Sequence, residues 1–410
     1  MSPTRPADTH CVVVGAGPVG LVAALDLHHR GLDVTVVEAD PEDRIRPGSR
    51  AIFLMFPTVN RLNRVRAGLG DEVAAAGISV TGYEAYFDGR PVFDQRADAG
   101  LGRALGIDRM GTSLPQKVTE RILMAEAERC GIEFRWGSPV TDVTTTPEGV
   151  VVDLGDAGQV EADYVIGCDG ARSAVRRSIG VSMDGDTHDS PFIIVDVADH
   201  PDGSTPTMPG YFHYQDPACG GRNVMHMPFA GGMRVDVQCL PGDDAETMAS
   251  PDGLAEWLPQ VVDPWYVDHV EWVSTYRFHQ VVADSYTDAN RRVLLAGEAA
   301  HLFAPFGGRG LNSGVIDATH STAAIEAAVD APDRASAIIE KAANERRRWG
   351  LHNRGVSSRA LKVMTGDDII TSFSRQVASR VAPVFPPAGA WLANGPIQLP
   401  TPRLGSTDLY

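Results

Sequence analysis

The chain has 410 residues, of which 43% are hydrophobic, and its formal net charge at pH 7 is −17. This length exceeds what one ordinary hydrophobic core organises, so we expect two structural units. The negative charge argues against a surface for nucleic acid or for anionic membranes. The five cysteines are scattered and lack metal-ligand spacing. We therefore expect reduced thiols, no metal site, and a cytoplasmic protein with neither a signal peptide nor a membrane span.

The first motif lies at residues 11–38, where a short apolar strand is followed by the turn GAGPVG, a helix and a second strand that ends in Glu38. In this pattern Gly15 permits a tight turn, Gly17 lets a pyrophosphate approach the backbone, and Gly20 lets the helix pack closely on the strand. The helix N-terminus then faces a phosphate, and Glu38 accepts hydrogen bonds from ribose hydroxyls. The unit predicts a Rossmann-type dinucleotide-binding domain.

A second domain is indicated by strand patterns that do not belong to a parallel sheet. Residues 79–93 predict two strands joined by an Asp88-Gly89 hairpin turn, and residues 191–240 are rich in strand patterns separated by glycine and proline. An apolar run at 293–296 returns to the nucleotide-binding sheet, and helices follow at 311–329 and at about 333–354. We predict an α/β (α+β) fold with a discontinuous nucleotide-binding domain and an inserted β-rich substrate domain. The predicted boundaries are 1–78, 111–183 and 284–355 for the binding domain, 79–110 and 184–283 for the β-rich domain, and 356–410 for a helical and proline-rich tail.

Two further motifs follow the first in the chain. The sequence CDGARSAVR occupies residues 168–176, and GEAAHLFAPFGGRGLNSGVIDA occupies residues 297–318. With the GAGPVG turn, they resemble the single-component FAD-dependent monooxygenases of the para-hydroxybenzoate hydroxylase fold. Within that family the sequence is most similar to the branch that hydroxylates phenols and phenylpropionates. One departure is that Glu298 replaces the usual Asp. Because few residues follow position 355, we also expect no thioredoxin-like C-terminal domain of the kind that longer phenol hydroxylases carry.

The resemblance implies an enzyme that binds FAD and consumes NADH or NADPH. In the family, reduced flavin reacts with O2, and a flavin hydroperoxide delivers one oxygen atom to a small phenolic, aromatic or otherwise electron-rich substrate. We expect a monomer or a homodimer that binds a small molecule and no nucleic acid or membrane. Two alternatives stay open, namely an oxidoreductase of the same fold that does not hydroxylate and a flavin-binding protein without turnover. The sequence does not identify the substrate or the base that activates it.

The resemblance also implies which residues contact the cofactor. They lie in the three motifs, at Arg50 in the segment SRA, at the start of the helix near Gln116, and beside the two strands of the first unit. The predicted cofactor-binding residues are Gly15, Ala16, Gly17, Pro18, Val19, Gly20, Glu38, Ala39, Arg50, Gln116, Val140, Asp169, Arg172, Gly297, Glu298, Pro305, Gly308, Gly310, Leu311 and Asn312.

Three residues are predicted to act in catalysis. Pro305 lacks an N–H group and is expected to form a rigid wall beside the flavin ring. Arg234 alternates with valines in MRVDVQ, which places it on one strand face with Asp236, and its position is similar to that of a family arginine near the ring. Tyr211 is a candidate for substrate contact. The histidines of the β-rich region lack metal spacing and are expected to be structural residues with satisfied hydrogen bonds. These are His213, His226 and His279.

Overall fold

A computed structural model of the protein describes residues 9–80, 82–96, 110–202 and 210–393. Within these ranges the chain forms a mixed α/β structure, and no helix is long and apolar enough to cross a bilayer. The α-helices are α1 (Pro18–His29), α2 (Phe56–Val65), α3 (Leu69–Ala75), α4 (Gln116–Arg129), α5 (Ala174–Ser178), α6 (Ala245–Met248), α7 (Pro251–Trp257), α8 (Arg309–Asp330), α9 (Ala335–Thr365), α10 (Ile369–Val381) and α11 (Pro386–Ala393).

The strands of the described residues are arranged in five sheets. They are β1 (His10–Val14), β2 (Asp33–Val37), β3 (Phe53–Met55), β4 (Ile78–Val80), β5 (Gly82–Phe87), β6 (Arg90–Arg96), β7 (Gly111–Ser113), β8 (Glu133–Arg135), β9 (Asp142–Thr145), β10 (Val150–Asp153), β11 (Gln159–Ala162), β12 (Tyr164–Gly167), β13 (Met183–Thr187), β14 (Phe192–Ala198), β15 (Gly210–Asp216), β16 (Arg222–Phe229), β17 (Gly232–Gln238), β18 (Val270–Tyr276), β19 (His279–Ala283), β20 (Val293–Leu295) and β21 (His301–Leu302).

A five-stranded parallel sheet in the order β20-β12-β1-β2-β8 forms the centre of the nucleotide-binding part. The apolar strand β1 lies in its middle, where Val13 pairs with Val36 on one side and with Ile166 on the other. Parallel strands that are buried on both faces have largely continuous apolar sequences, as β1 and β2 do. Ligands of such sheets bind at the carboxyl ends of the strands, so this edge is where the site should lie.

A seven-stranded sheet in the order β18-β14-β17-β16-β15-β5-β6 carries two separate apolar faces. The predicted hairpin at Asp88-Gly89 is present and joins its last two strands. One face packs with the loop at residues 304–306 and with α9, and the other packs with α7 and the segments around it. The first face therefore lies toward the nucleotide-binding part.

Helices α8 and α1 pack directly on each other at the edge where the ligand should bind. A Cβ atom on Gly314 would lie 2.6 Å from a methyl group of Val19, so only glycine allows this approach.

The prediction that the next helix ends near residue 354 is wrong, because α9 continues to Thr365 and ends at Gly366, which has φ +66°. Residues 369–393 of the predicted tail form α10 and α11, and residues 394–410 lie outside the described ranges.

Candidate active site

The first glycine turn is held by a backbone hydrogen bond. The Gly15 N–H donates to the carbonyl oxygen of Val37 at 2.7 Å, and Gly15 has φ +103°. A Cβ atom on Gly15 would lie 2.5 Å from the carbonyl oxygen of Cys168. Both this contact and the positive φ exclude a side chain at this position. At Gly17, by contrast, the nearest atom to an added Cβ is an Arg46 nitrogen at 3.7 Å. The turn is thus tight at its base and open where a pyrophosphate would approach.

Glu38 is buried at the tip of β2 and is fixed by backbone donors. Its Oε2 accepts from the Ala16 N–H at 2.7 Å, and its Oε1 accepts from the Asp40 N–H at 3.0 Å. Ala39 is exposed beside it, and the half-buried Val140 packs against the nearby core. Oε1 keeps a second lone pair, so Glu38 can still accept from a ribose hydroxyl.

Two arginines near Glu38 were not predicted from the sequence. Arg44 Nη1 lies 2.9 Å from Glu38 Oε2, and its guanidinium lies over the Trp136 ring at 5.2 Å. Arg46 Nη2 lies 3.6 Å from the same carboxylate oxygen and beside the open side of Gly17. Arginine is well suited to bind phosphate, so Arg46 adds a cation to the phosphate side of the turn. The basic run RIRPGSR that follows the first unit is the signal that indicates them.

In the Asp-Gly motif, one carboxylate oxygen of Asp169 has no hydrogen-bond partner among the described residues. Asp169 Oδ2 caps α5 by accepting from the Ala174 and Val175 N–H groups at 2.6 and 3.1 Å. Asp169 Oδ1 is shielded from solvent and has no hydrogen-bond partner among the described residues, and burial raises the pKa of this carboxyl. The side chain of Arg172 is exposed. An unpartnered buried acceptor is costly unless a ligand satisfies it, so Asp169 fits a hydroxyl-bearing ligand.

The second long motif forms an irregular loop before α8. Glu298 and Pro305 are exposed on it, while Gly297 is buried and Leu311 is half-buried. Gly307 and Gly308 both have positive φ, at +73° and +63°, and together turn the chain into the helix N-terminus. An added Cβ on Gly310 would meet no atom within 4 Å. The loop therefore offers exposed backbone and open space where the flavin ring is predicted.

Asn312 is the exception among these predicted cofactor contacts. Its Oδ1 accepts from the Met55 N–H at 2.9 Å and from the Thr58 hydroxyl at 2.5 Å. Its Nδ2 donates to the carbonyl oxygens of Phe53 and Gly308, at 3.0 and 2.6 Å. An amide side chain makes at most four such bonds, and all four are used. The side chain therefore holds the loop to β3 and has no remaining donor or acceptor for a cofactor.

Arg234 is buried and holds the loop that carries Arg50. Its Nε lies 3.2 Å from Asp196 Oδ1, and its Nη2 donates to the Ser49 hydroxyl at 2.5 Å. Ser49 in turn donates to Asp196 through both its N–H and its hydroxyl, at 2.6 and 2.8 Å. The next residue, Arg50, is exposed with φ +54°, a left-handed conformation that is rare outside glycine. The Gln116 N–H donates to the Ser49 carbonyl oxygen at 2.8 Å, so the predicted residues Arg50, Gln116 and Arg234 meet at one loop.

Tyr211 lies on the other face of the seven-stranded sheet. It pairs with His226, which pairs with Val235, whereas Arg234 pairs with Met227. Because successive side chains of a strand point to opposite faces, Tyr211 and Arg234 point away from each other. Tyr211, predicted as a catalytic residue that contacts the substrate, therefore lies on the face opposite Arg234, with its ring near those of Tyr86, His213 and His226.

One predicted structural histidine does not have satisfied hydrogen bonds. His226 Nε2 is buried without a partner among the described residues. Burial, and then the nearby His213, lower the pKa of His226 to about 4. A neutral imidazole avoids the cost of a buried charge, although one nitrogen stays unpaired. His213 lies 3.2 Å from Asp216, and His279 Nδ1 lies 2.8 Å from the Thr187 hydroxyl, as expected for structural residues.

Three potential metal ligands come together elsewhere, although no metal site was predicted. The ligand atoms of His29, Glu126 and Cys130 lie within 4.8 Å of one another. Two guanidinium groups, of Arg66 and Arg129, lie 3.1 and 2.5 Å from the same Glu126 oxygen. Because these cations already neutralise the carboxylate, the group is better explained as an ion-pair cluster than as a metal site.

The predicted cofactor residues lie at one edge of the parallel sheet. Gly15 follows β1, Glu38 follows β2, Asp169 follows β12 and Gly297 follows β20. The unpartnered Asp169 Oδ1 and the open space at Gly17 and Gly310 are features that an elongated ligand with hydroxyl and phosphate groups would fill. The described residues therefore fit FAD along this edge.

Comparison with known proteins agrees with this geometry. The FAD binding domain family matches residues 8–352. The chain belongs to this family. It is 31% identical over 91% of its length to a 3-(3-hydroxy-phenyl)propionate/3-hydroxycinnamic acid hydroxylase from Mycobacterium sp. strain JLS, and spans 62% of that relative's length. It is 30% identical to the para-nitrophenol 4-monooxygenase from Pseudomonas sp. strain WBC-3, covering 78% of each chain.

The fold of this FAD-binding protein is also that of a solved family structure. The crystal structure of p-nitrophenol 4-monooxygenase from Pseudomonas putida DLL-E4 matches it with a TM-score of 0.77 and 26% identity, covering 95% of this chain and 96% of that one. The prediction of a para-hydroxybenzoate hydroxylase-like fold with an FAD-binding part is thereby confirmed.

Proposed function

We propose that the protein is an FAD-dependent monooxygenase that consumes NADH or NADPH and inserts one oxygen atom from O2 into a small phenolic or other electron-rich aromatic substrate. FAD, when bound, supplies the redox chemistry and the reaction with oxygen. The chain supplies binding, orientation and exclusion of water. The relatives named above, each a hydroxylase or monooxygenase by name, support this proposal.

The observation that carries the proposal is the direct link between the cofactor loop and the β-rich sheet. Ser49, next to Arg50 of the predicted cofactor loop, is bonded to Asp196 of β14 and to Arg234 of β17. The same sheet face packs with Phe306 beside Pro305. A flavin held along the strand ends would thus have its ring facing a buried sheet surface that carries aromatic side chains. Such a surface suits an aromatic substrate and excludes water from the reacting atoms.

The residues that would hold FAD can be named from the site. Glu38 would accept from the adenosine ribose, the turn at Gly17 with Arg46 would face the pyrophosphate, and Asp169 Oδ1 would accept from a ribityl hydroxyl. The backbone around Gly308 would place N–H groups at the electron-rich edge of the ring.

The test is a set of matched assays on the purified full chain loaded with FAD. NADH or NADPH oxidation, O2 uptake and hydroxylated product would be measured with a panel of phenols, phenolic acids and indoles, using labelled O2 to trace the inserted atom. We expect at least one phenol to stimulate NAD(P)H oxidation and to yield product carrying one labelled oxygen. An Asp169→Ala variant serves as the control for FAD-dependent turnover.

Other outcomes identify the alternatives. NAD(P)H oxidation with substrate reduction and no O2 uptake would show a reductase of the same fold. Bound FAD that NAD(P)H does not bleach would show a flavin-binding protein without turnover. Either result would overturn the proposal.

A further inference from the structure

Asp236 lies on the sheet face that packs toward the Pro305 loop. It follows Arg234 by two positions on β17, and the two side chains are 4.0 Å apart at Nε and Oδ1, so they share a face. On the neighbouring strands Asp236 pairs with Met225 and with Ile194. The aromatic core on this side contains Phe212 and Phe306, the residue after Pro305.

The Asp236 carboxylate has an unsatisfied acceptor. The side chain is only 4% exposed, and Oδ1 has no hydrogen-bond partner among the described residues. Arg234, the neighbouring cation, is beyond hydrogen-bond distance and is engaged by Asp196 and Ser49. A buried carboxylate without a partner is costly, and a catalytic role is one of the explanations for such a group in a folded protein.

A second unpartnered polar atom lies on the same face. The Tyr83 hydroxyl is buried without a partner, and Tyr83 pairs with Gly210, whose missing side chain leaves the ring free to lie across it. Burial, and to a smaller extent Tyr214 and Asp236, raise the pKa of Tyr83, so it stays a protonated donor. Between these groups Met225 and Met227 remain partly exposed, although they belong to a sheet face that is otherwise covered. The face therefore offers an acceptor and a donor beside apolar surface.

We propose that Asp236 is the base that removes the proton from the phenolic hydroxyl of the substrate. This assignment rests on the proposed function. The substrate O–H bond breaks, its electron pair stays on the phenolate oxygen, and the proton forms an O–H bond on Asp236 Oδ1. No electrons leave the ring in this step, and the increased electron density makes the ring a better target for an electrophilic oxygen atom.

The electrostatic surroundings are consistent with this role. Burial raises the pKa of Asp236 to about 7, with Arg234 lowering it and Asp196 raising it. Among the described residues, the charged groups that act on it are Arg234 and Asp196, and Tyr83 is a titratable group of the same sheet face. A base works best when its pKa is close to the working pH, and Asp236 is placed there by its surroundings.

The assignment also defines the substrate. The end of the ligand that meets Asp236 must carry a hydroxyl donor, because a second carboxylate there would be repelled by the ionised side chain. A phenol should therefore be accepted and its methyl ether rejected. Any carboxylate on the substrate should lie at the other end.

The test compares two phenols of different acidity in the FAD-loaded full chain. The probes are 3-(3-hydroxyphenyl)propionate, which is neutral at its phenol at pH 7, and 4-nitrophenol, which is much more acidic. Asp236→Asn should lower kcat/KM for the first by roughly 10²–10⁴-fold at neutral pH. Much less should be lost for 4-nitrophenol, and activity on the weak acid should return as the pH rises toward the pKa of the free phenol. FAD content should stay near wild type.

Matched variants separate this role from a structural one. Asp236→Glu keeps a carboxylate and should recover part of the activity, whereas Asp216→Asn removes another buried carboxylate of the same sheet and should leave the pH profile unchanged. Equal losses on both phenols at every pH, or full activity of Asp236→Asn, would overturn the base assignment alone. If the wild type hydroxylates neither phenol and no other phenol of the panel, both this assignment and the proposed function fail.

Discussion

Asp196 accepts two hydrogen bonds from Ser49, one from its backbone N–H at 2.6 Å and one from its hydroxyl at 2.8 Å. Asp196 belongs to β14, the second strand from one edge of the seven-stranded sheet, and Ser49 belongs to the loop that carries Arg50. Arg234 closes the network by contacting both residues. The position of the cofactor loop therefore depends on a buried ion pair in the β-rich part of the chain.

Arg234→Ala should slow substrate-stimulated flavin reduction and destabilise the fold while leaving FAD content near wild type. The substitution leaves Asp196 as a buried charge without its cation, which costs about 3–5 kcal/mol when a buried pair is broken. Urea unfolding and anaerobic stopped-flow reduction measure the two effects. Tyr211→Phe, on the opposite sheet face, is the control and should leave reduction unchanged. Normal reduction kinetics in Arg234→Ala would show that the network does not govern the flavin.

Glu298→Ala should weaken FAD binding. Glu298 is exposed at the carboxyl end of β20, on the edge where the other cofactor residues lie, and it stands where the family usually has Asp. Loss of a charged hydrogen bond of roughly 1.5–3 kcal/mol corresponds to about ten- to hundredfold weaker binding. Glu298→Gln should be milder, since an amide oxygen still accepts one bond. Titration of the apoprotein with FAD measures the dissociation constant. A value within about twofold of wild type would show that Glu298 does not bind the cofactor and interacts only with the dipole of its own helix-like turn.

Asp317→Asn should destabilise the protein at neutral pH. Asp317 is buried and accepts from His301 Nε2 at 2.7 Å, Arg346 Nε at 2.8 Å and the Gly297 N–H at 3.2 Å. Burial alone raises the pKa of Asp317, but Arg346 and His301 outweigh it and hold the pKa below its ordinary value. The stabilisation is therefore present above the unfolded pKa of about 3.9 and is lost as pH falls through the lower folded value.

Urea unfolding from pH 7 into the acid range checks this prediction. The difference in free energy of unfolding between wild type and Asp317→Asn should be about 3–5 kcal/mol at neutral pH and should shrink toward the acid end. Asp156→Asn, at an exposed carboxylate, is the control and should show little change. A difference that stays constant down to pH 2 would contradict the ion-pair explanation.

Gly310→Ala should separate folding from cofactor binding. An added methyl group meets no protein atom within 4 Å, and Gly310 lies in the first turn of α8, so the substitution should not destabilise the apoprotein. If FAD occupies that space, the methyl group should reduce FAD content. Gly355→Ala, within α9, is the matched control and should leave both properties near wild type. Full FAD content in Gly310→Ala would show that the flavin does not occupy the space beside Gly310.

Local patterns predicted much of the nucleotide-binding part, because each of its signals is contained in a few neighbouring residues. The apolar strand before Gly15, the turn itself and Glu38 at the next strand end all depend on spacing within one βαβ unit. The shared face of Arg234 and Asp236 also follows from alternation along a strand and is confirmed. Alternation along one strand does not show which residues of other segments contact Arg234, so its contacts with Asp196 and Ser49 were not predicted.

The sheet face on which Tyr211 lies could not be predicted for a similar reason. The strand GYFHYQD carries aromatic or histidine side chains on both faces, so its alternation does not show which face is toward the site. Only the pairing with β16 decides it. The end of α9 was misplaced because Gly355 weakens the helical pattern, while burial of Leu361 and Met364 against the β-rich sheet favours continuation of the helix.

The close approach of Gly314 to Val19 has a consequence for the order of folding. The glycine turn is made early in synthesis, but the helix that packs against it comes from the last quarter of the chain. Contacts between such distant segments give a high contact order and form slowly. We therefore expect the first helix of a nascent chain to stay without its packing partner until α8 has left the ribosome. FAD would then bind the assembled protein and shift the folding equilibrium toward it.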